Sequence, residues 1–276
     1  MVTTKARVVI RHVLVYGMAL LILMPFFWVV LSSFKSPSEL VRYPPTILPT
    51  EWTLENFTGF FRATNFQRAM WNSAMVAFAT TVISMVVAAP AAYALSRFTH
   101  RSFEWIARFF IYSYMIPPIL LVLPVFQIFF NLGLANNLFA LVFIYLAIVM
   151  PLILWTMRSF FAGIPIDLEE AAMVDGATRF RAFLVIVLPQ AYPGLIATGI
   201  IAMNIGWSEY LFAATLLTQP DMLTISPRLE SFMGRGLFNW GWLMAAAVAV
   251  TAPLIVVATL LQKRLVEGFA AGAIKG

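Results

Sequence analysis

Cysteine is absent from this sequence, and charged residues are scarce, at 11% of the chain. Without cysteine the protein has no disulfide framework and no thiolate metal site. The only two histidines, His12 and His100, lie next to basic residues, which disfavours an imidazole metal site. Charged side chains are also too few to cover a soluble domain, in which they make up about 25% of residues.

Hydrophobic residues are correspondingly abundant, at 62% of the chain, whereas soluble domains contain roughly 45 to 50%. This composition predicts an all-α membrane protein that crosses the bilayer several times. The net charge of +6 does not indicate a nucleic-acid-binding surface, because the basic residues lie at the ends of apolar runs rather than in one cluster. In those positions Lys and Arg act as signals of membrane orientation.

The charge-free runs predict six transmembrane helices. Runs of 23 and 28 residues occupy 12–34 and 69–96. A third run, 109–157, has 49 residues, which as one helix would be about 74 Å long, far more than a hydrocarbon core of about 30 Å. This run must therefore fold back, and the Asn- and Gly-rich stretch 131–137 is the predicted turn.

The runs divide the chain into spans and connecting segments. The predicted spans are 12–34, 70–96, 109–130, 138–157, 190–212 and 242–262, of which the last five form one membrane domain, 69–264. The remaining segments are an N-terminus 1–11, a loop 35–68, a loop 158–189, a loop 213–241 and a tail 265–276.

Six spans place both termini on one side of the membrane, and the basic residues indicate which side. The segments 1–11, 97–108, 158–181 and 263–276 carry 12 Lys and Arg in 61 residues. The opposite segments, 35–68, 131–137 and 209–235, carry 6 in 68. By the positive-inside rule, both termini and the 158–189 loop are predicted to be cytoplasmic.

The loop around Glu170 is almost the only sizeable polar patch in the second half of the chain. A helix of about two turns is predicted at 168–175, with Asp167 as its N-cap, Glu170 closing a capping box and Gly176 ending it in a left-handed turn. At roughly 12 Å this helix is too short to cross a bilayer, so it must lean on another surface.

The side chains of this helix suit contact with a partner. Ala171 and Ala172 let another surface approach closely, and the acids Glu169 and Glu170 suit the positive end of the helix dipole. Nine residues after Gly176 comes Ile186-Val187-Leu188-Pro189.

The pattern Glu-Ala-Ala, three residues, Gly, nine residues, then Ile-x-Leu-Pro resembles the cytoplasmic loop of membrane subunits of ABC importers. The resemblance implies the type I importer fold and identifies the short helix as a coupling helix that docks on a separate ATPase. The implied docking residues are Glu169, Glu170, Ala171, Ala172, Asp175 and Gly176.

Further stretches resemble the second permease of maltose-type carbohydrate importers, from about residue 70 to the end. They are Met115–Pro118, Leu132–Leu134, Trp207–Ala213 and Gly272–Gly276, with Ser208 standing where many relatives have Asn. The resemblance implies a bacterial inner-membrane subunit of an importer for a sugar, a sugar derivative or a polyol. Its implied partners are a homologous permease, an ATPase dimer carrying ATP and Mg²⁺, and a soluble substrate-binding protein. It implies no cofactor in this chain.

No catalytic motif accompanies these features. The sequence has no Gly-x-x-x-x-Gly-Lys-Ser/Thr phosphate loop and no nucleophile elbow, so the energy for transport must come from another polypeptide. Two alternatives remain: a secondary transporter, which should carry ionisable residues near the bilayer midplane, and a permease for a substrate other than sugar.

Polar side chains inside spans are costly when they face lipid, so they predict the substrate path. Asn72, Gln127 and Asn204 are expected to face the interior or the partner permease. Glu209, near the outer interface, either snorkels to water or pairs across the subunit interface as an outer gate, with Trp207 and Tyr210 forming an amphipathic collar beside it.

Overall fold

The computed structural model describes residues 2–63, 65–98, 100–233 and 239–273. All regular structure in these ranges is helical. The chain divides into two compact units, one of residues 1–66 with 229–253 and the other of residues 67–228 with 254–276. The helices, in chain order, are α1 Val2–Ser33, α2 Pro37–Leu40, α3 Glu55–Ala63, α4 Phe66–Arg97, α5 Arg101–Tyr114, α6 Pro118–Asn131, α7 Leu138–Ala162, α8 Asp167–Val174, α9 Arg179–Ala182, α10 Leu188–Gln190, α11 Tyr192–Ser208, α12 Leu211–Leu216, α13 Ile225–Met233 and α14 Trp240–Ala273.

Among the described residues, five helical segments are long and apolar enough to cross a membrane. Each overlaps one of the predicted spans. They are Val8–Ser33, Phe66–Arg97, Leu138–Ala162, Tyr192–Leu216 and Trp240–Leu261. The predicted tail overlaps the end of α14, which continues to Ala273, but its side chains and residues 274–276 lie outside the described part of the chain.

The predicted third span, 109–130, is not one continuous helix. It is divided between α5 and α6, which meet at an angle of 98°. Two adjacent prolines, Pro117 and Pro118, explain the break. Proline lacks the backbone N–H that continues a helix, and it pushes the preceding residue out of the helical region, as Pro117 shows with ψ 125°.

In the first unit, polar side chains hold the chain that follows α1. The buried Asn56 donates to the carbonyls of Ser33 and Lys35, at 3.0 and 2.7 Å. The buried Glu39 carboxylate accepts from the Thr46 hydroxyl at 2.5 Å and from the Thr50 amide at 3.0 Å. The apolar side chains of α1 from Val8 to Phe27, by contrast, are exposed, as expected of a helix that faces lipid or another subunit.

In the second unit, α7 lies at the centre of the packing and contacts α5, α11 and α12. Its fully buried side chains include Leu141, Tyr145, Met157 and Phe161. Helices α4 and α11 approach closely at Gly206, where an added Cβ would lie 3.0 Å from the Cα atom of Ala77. Small residues at such a crossing allow membrane helices to pack backbone against backbone.

Between α9 and α10 the chain forms a π-helical turn, Phe183–Val187, just before Pro189. The Leu188 amide donates to the Phe183 carbonyl, five residues back. Pro189 has no amide hydrogen to donate, which favours the wider turn at this point. The turn and α9 both pack against α8, so they position the polar loop.

Candidate functional site

Helix α8 forms where the sequence predicts the coupling helix, but it begins one residue earlier, at Asp167. The proposed capping box is wrong. Asp167 is already helical, and the amides of Glu169 and Glu170 both donate to the Ile166 carbonyl, at 2.9 and 3.1 Å. The amide that a capping side chain would serve is therefore occupied, and the acids in the first turn act through the helix dipole.

The exit from α8 agrees with the prediction. Gly176 has φ +89°, and the amide of Ala177 donates to the Ala172 carbonyl at 3.0 Å. An added Cβ at Gly176 would meet nothing within 4 Å. Glycine is therefore required by the left-handed backbone and not by crowding, because other L-residues are strained at this φ.

The solvent-facing side of α8 is narrow and mixed in character. We define the α8 face as Asp167, Glu170, Ala171 and Val174, which are exposed and spaced i, i+3, i+4 and i+7 on one side of the helix. Val174 is 87% exposed, and sequence reasoning did not include it. Asp175 and Gly176 are exposed just beyond the helix, and Ala172 is half-buried.

Glu169 does not belong to the α8 face. It is only 2% exposed, and its carboxylate accepts from the Tyr93 hydroxyl at 2.6 Å and from Arg97 Nε at 2.5 Å. Both partners lie in the last turns of α4. A residue turned inward and fully paired cannot contact a docking partner, so the expectation that Glu169 takes part in docking is corrected: it anchors the helix.

Arg97 extends this anchor to a third element. Its terminal nitrogens donate to the carbonyls of Phe161 and Ile164, both at 3.0 Å, at the end of α7. We call Tyr93, Arg97, Glu169 and these two carbonyls the Arg97 network. Sequence reasoning treated Arg97 only as the end of a span. No signal in the local sequence pairs Arg97 with Glu169, because the two residues lie 72 positions apart.

The predicted path residues do not come together. Asn72 is 5% exposed and donates to the backbone carbonyls of Asp221 and Leu223, both at 3.0 Å. Asn72 therefore faces the interior, and both amide hydrogens of its side chain fasten a loop; its role in the substrate path stays a prediction. Gln127 and Asn204 are exposed on the surface of the chain, where lipid or a partner subunit would meet them.

Glu209 is a helix cap, which neither predicted role foresaw. Its carboxylate accepts from the amides of Phe212 and Ala213, at 3.0 and 3.2 Å, in the first turn of α12. Its backbone carbonyl accepts from the Tyr145 hydroxyl at 3.5 Å. Trp207 is 4% exposed, so of the predicted collar only Tyr210 is exposed.

A cavity of about 640 Å³ lies beside the break between α5 and α6. Aromatic and aliphatic side chains dominate its wall, which also includes Ser113 and Tyr114. Phe129, Phe143 and Phe212 contribute aromatic surface. No cluster of metal-ligating side chains occurs among the described residues, in this cavity or elsewhere.

The apolar spans and the polar loop between α7 and α11 define a multi-pass membrane protein whose conspicuous polar chemistry lies at the membrane surface. Residues 82–270 match the family described as binding-protein-dependent transport system inner membrane component. The chain belongs to this family. Its relatives in the family are permease subunits of ABC transporters, which are not enzymes themselves.

Two relatives are similar over nearly the whole chain. The trehalose/maltose transport system permease protein MalG of Thermococcus litoralis is 34% identical, covering 99% of both chains. The trehalose transport system permease protein SugB of Mycobacterium tuberculosis is 35% identical, covering 95% of both. Among solved structures, a chain of a bacterial ABC transporter involved in the import of the acidic polysaccharide alginate has the same fold, with a TM-score of 0.77 at 22% identity, covering 95% of this chain and 98% of that chain.

Proposed function

We propose that this chain is one of two permease subunits of an ATP-driven, binding-protein-dependent sugar importer in the bacterial inner membrane. The observation that carries the proposal is the α8 face, presented on an ordered loop in a chain of this transport family. In this proposal a separate ATPase dimer binds ATP and Mg²⁺ and docks on the α8 face. A soluble binding protein delivers the sugar on the opposite side of the membrane.

The chemistry of the α8 face suits a protein partner. Asp167 and Glu170 put negative charge at the helix N-terminus, where the dipole favours it. Ala171 adds no bulk, and the exposed Val174 offers an apolar contact. A groove with an apolar floor and a basic rim is the complementary surface, and the ATPase is expected to supply it.

Two observations support a sugar as the substrate. The relatives above carry trehalose and maltose in their names. The cavity beside the break between α5 and α6 combines aromatic faces with the hydroxyls of Ser113 and Tyr114. Aromatic stacking together with a few hydrogen-bonding groups is the usual composition of a small-molecule site.

A secondary transporter is less well supported by the positions of the charges. In the part of the chain that the structure describes, the buried charged residues are Lys35, Glu39 and Glu169, with the half-buried Arg97 paired to the last of these. They lie in loops or at helix ends. A proton- or ion-coupled carrier needs ionisable groups near the bilayer midplane.

Reconstitution of the four-part transporter tests the proposal. The chain is co-expressed with its candidate partner permease, ATPase and binding protein, and uptake of labelled trehalose and maltose into proteoliposomes is measured. Glu170→Ala removes a charge from the α8 face, and Gly176→Val strains the left-handed exit, so both variants should insert into the membrane but lose uptake and ATPase association.

Glu104→Ala is the matched control, because it removes an exposed acid that lies outside the loop, in α5. Its uptake should equal that of the unaltered protein. Normal uptake and normal ATPase co-purification in both loop variants would overturn the docking role. Uptake that persists without any ATPase would instead indicate a secondary transporter.

A further inference from the structure

The short helix α8 is joined to α4 by side chains alone. Along the chain, Glu169 lies 72 residues from Arg97, and α8 is covalently continuous with α7 and with the segment leading to α11. Glu169 is the single buried residue within α8. The direct polar link between α8 and the end of α4 is therefore made by this carboxylate.

Arg97 holds three groups with one planar guanidinium group. Nε donates to the Glu169 carboxylate, while the two terminal nitrogens donate to the carbonyls of Phe161 and Ile164. Those carbonyls belong to the last turn of α7 and the residues just after it, and the Phe161 carbonyl also accepts from the Ile164 amide at 3.1 Å. Because the guanidinium is planar and its donors are fixed, it sets the relative position of all three groups.

Tyr93 completes the arrangement from the same helix. Its hydroxyl donates to the second Glu169 oxygen at 2.6 Å, and its ring lies 4.6 Å from that of Phe183 in the π-helical turn. The carboxylate thus has one partner on each oxygen, both from α4. This two-point attachment restricts rotation of α8 about its own axis as well as its translation.

We infer that Arg97 is a positioning residue that makes α8, the last turns of α4 and the end of α7 move as one body when the ATPase displaces α8. The inference rests on the proposed docking of an ATPase on the α8 face. It adds the route by which the displacement reaches α4. It also assigns the coupling to the forked guanidinium, which binds Glu169 and the two carbonyls at the same time.

Arg97→Lys is the decisive variant, because it keeps the charge that pairs with Glu169 and removes the fork that also holds the two carbonyls. In the reconstituted transporter, ATPase co-purification and ATP hydrolysis should persist. Trehalose or maltose transported per ATP should fall roughly three- to tenfold, within the range reported for residues that carry coupling between sites.

Three further variants separate coupling from stability. Tyr93→Phe removes one hydroxyl and should lower the transport ratio by about twofold, so it tests the inference if the Arg97 variant folds poorly. In the double variant Arg97→Lys with Glu169→Gln, the transport ratio should fall no further than in the more severe of the two single variants. Both changes act on the same Arg97 network, so their effects should not add. Arg108→Lys, in the exposed pair with Glu104, should leave the ratio unchanged.

Spin labels supply a readout that a purely stabilising contact would not alter. The chain has no cysteine, so labels can be placed at Ala94, half-buried in the last turns of α4, and at Leu168, exposed at the edge of α8. In the assembled complex the distance between the labels should stay the same with and without a non-hydrolysable ATP analogue. In Arg97→Lys the distance distribution should shift or broaden when the analogue binds.

The outcomes separate this inference from the proposed function. A normal transport ratio and a constant label distance in Arg97→Lys, with the ATPase still bound, would overturn the inference and leave the proposed function intact. Loss of ATPase binding in Arg97→Lys, as in Glu170→Ala, would overturn it as well, because Arg97 would then shape the docking surface. Normal uptake and normal ATPase co-purification in both Glu170→Ala and Gly176→Val would overturn the docking role on which the inference rests.

Discussion

The two ends of α4 are fastened to their surroundings by different chemistry. Near its first turns, Asn72 and Ser73 bind backbone groups of residues 221–225 through neutral hydrogen bonds. In its last turns, Tyr93 and Arg97 bind a buried carboxylate and two carbonyls. Roughly 38 Å of helix separates Asn72 from Arg97 at 1.5 Å per residue.

The two ends of α4 differ in how well they tolerate a substitution. Neutral hydrogen bonds between a side-chain amide and backbone carbonyls hold the loop in place. Losing one of them costs only a modest free energy of unfolding, because no unpaired charge is left behind. A buried ion pair gives little net stability relative to apolar packing, but losing one partner leaves an uncompensated charge. The charged end is therefore the more sensitive to substitution, and it is the end that holds the proposed ATPase contact.

The largest expected effect breaks the charged end. Arg97→Met leaves Glu169 buried without its cation and removes one donor from each of the Phe161 and Ile164 carbonyls, which should cost about 3–5 kcal/mol. Thermal unfolding in detergent, followed by intrinsic fluorescence, measures the loss. Arg108→Met breaks the exposed pair with Glu104 and should change stability by about 0.5 kcal/mol or less. Equal losses of stability in Arg97→Met and Arg108→Met would contradict the claim that the buried charged end of α4 is especially sensitive to substitution.

The next effect breaks the neutral end. Asn72→Leu removes both donors to the carbonyls of Asp221 and Leu223, and should destabilise the fold by about 1–3 kcal/mol. Hydrogen exchange should also become faster in residues 221–225, whose loop loses its attachment. Gln127→Leu, at an exposed amide, is the control. Unchanged exchange in the Asn72 variant would show that the loop is held by other contacts.

A smaller effect concerns the cap that Glu209 forms on α12. Glu209→Ala removes the acceptor for the amides of Phe212 and Ala213, and should cost about 0.5–2 kcal/mol, as other helix caps do. The earlier gate hypothesis predicts something different for Glu209→Gln: ATP hydrolysis that no longer depends on the binding protein. ATP hydrolysis in Glu209→Gln that stays fully dependent on the binding protein would contradict the gate hypothesis and leave Glu209 as a cap alone.

The smallest effect is a pH dependence in the first unit, where a carboxylate is held by neutral donors. The hydrogen bond from Thr46 lowers the pKa of Glu39 below its usual value, with added help from the Thr50 amide and the charge of Lys35. A lowered pKa gives stability that is present above the ordinary carboxyl range and is lost as the pH falls through the lowered value.

Protease protection of residues 36–50 measures this dependence. Protection should decline as the pH is taken from 7 to about 3, and the decline should be absent in Glu39→Gln, which does not titrate. Thr46→Val should weaken the decline, because the main cause of the lowered pKa is removed. An identical pH profile in Glu39→Gln would assign the effect to another group.

Local features of this fold could be predicted from the sequence, and long-range pairings could not. Charge-free runs located the spans, and Gly176 located the end of α8, because both depend on nearby residues. The bend at Pro117 was missed because two prolines inside an apolar run also occur in continuous, kinked membrane helices. The pairs Arg97 with Glu169 and Asn72 with Leu223 span 72 and 151 residues, and no local pattern connects them.

Cysteine labelling at position 174 tests the central claim, that the α8 face docks an ATPase. Val174→Cys is placed in the cysteine-free chain, on the exposed face of α8, and Gln219→Cys, an exposed residue in the loop after α12, serves as the reference. Open membranes containing the permease pair are treated with an impermeant maleimide, with and without the ATPase subunits. We expect bound ATPase to protect position 174 and to leave position 219 unchanged. Equal labelling of position 174 with and without the ATPase would contradict the account.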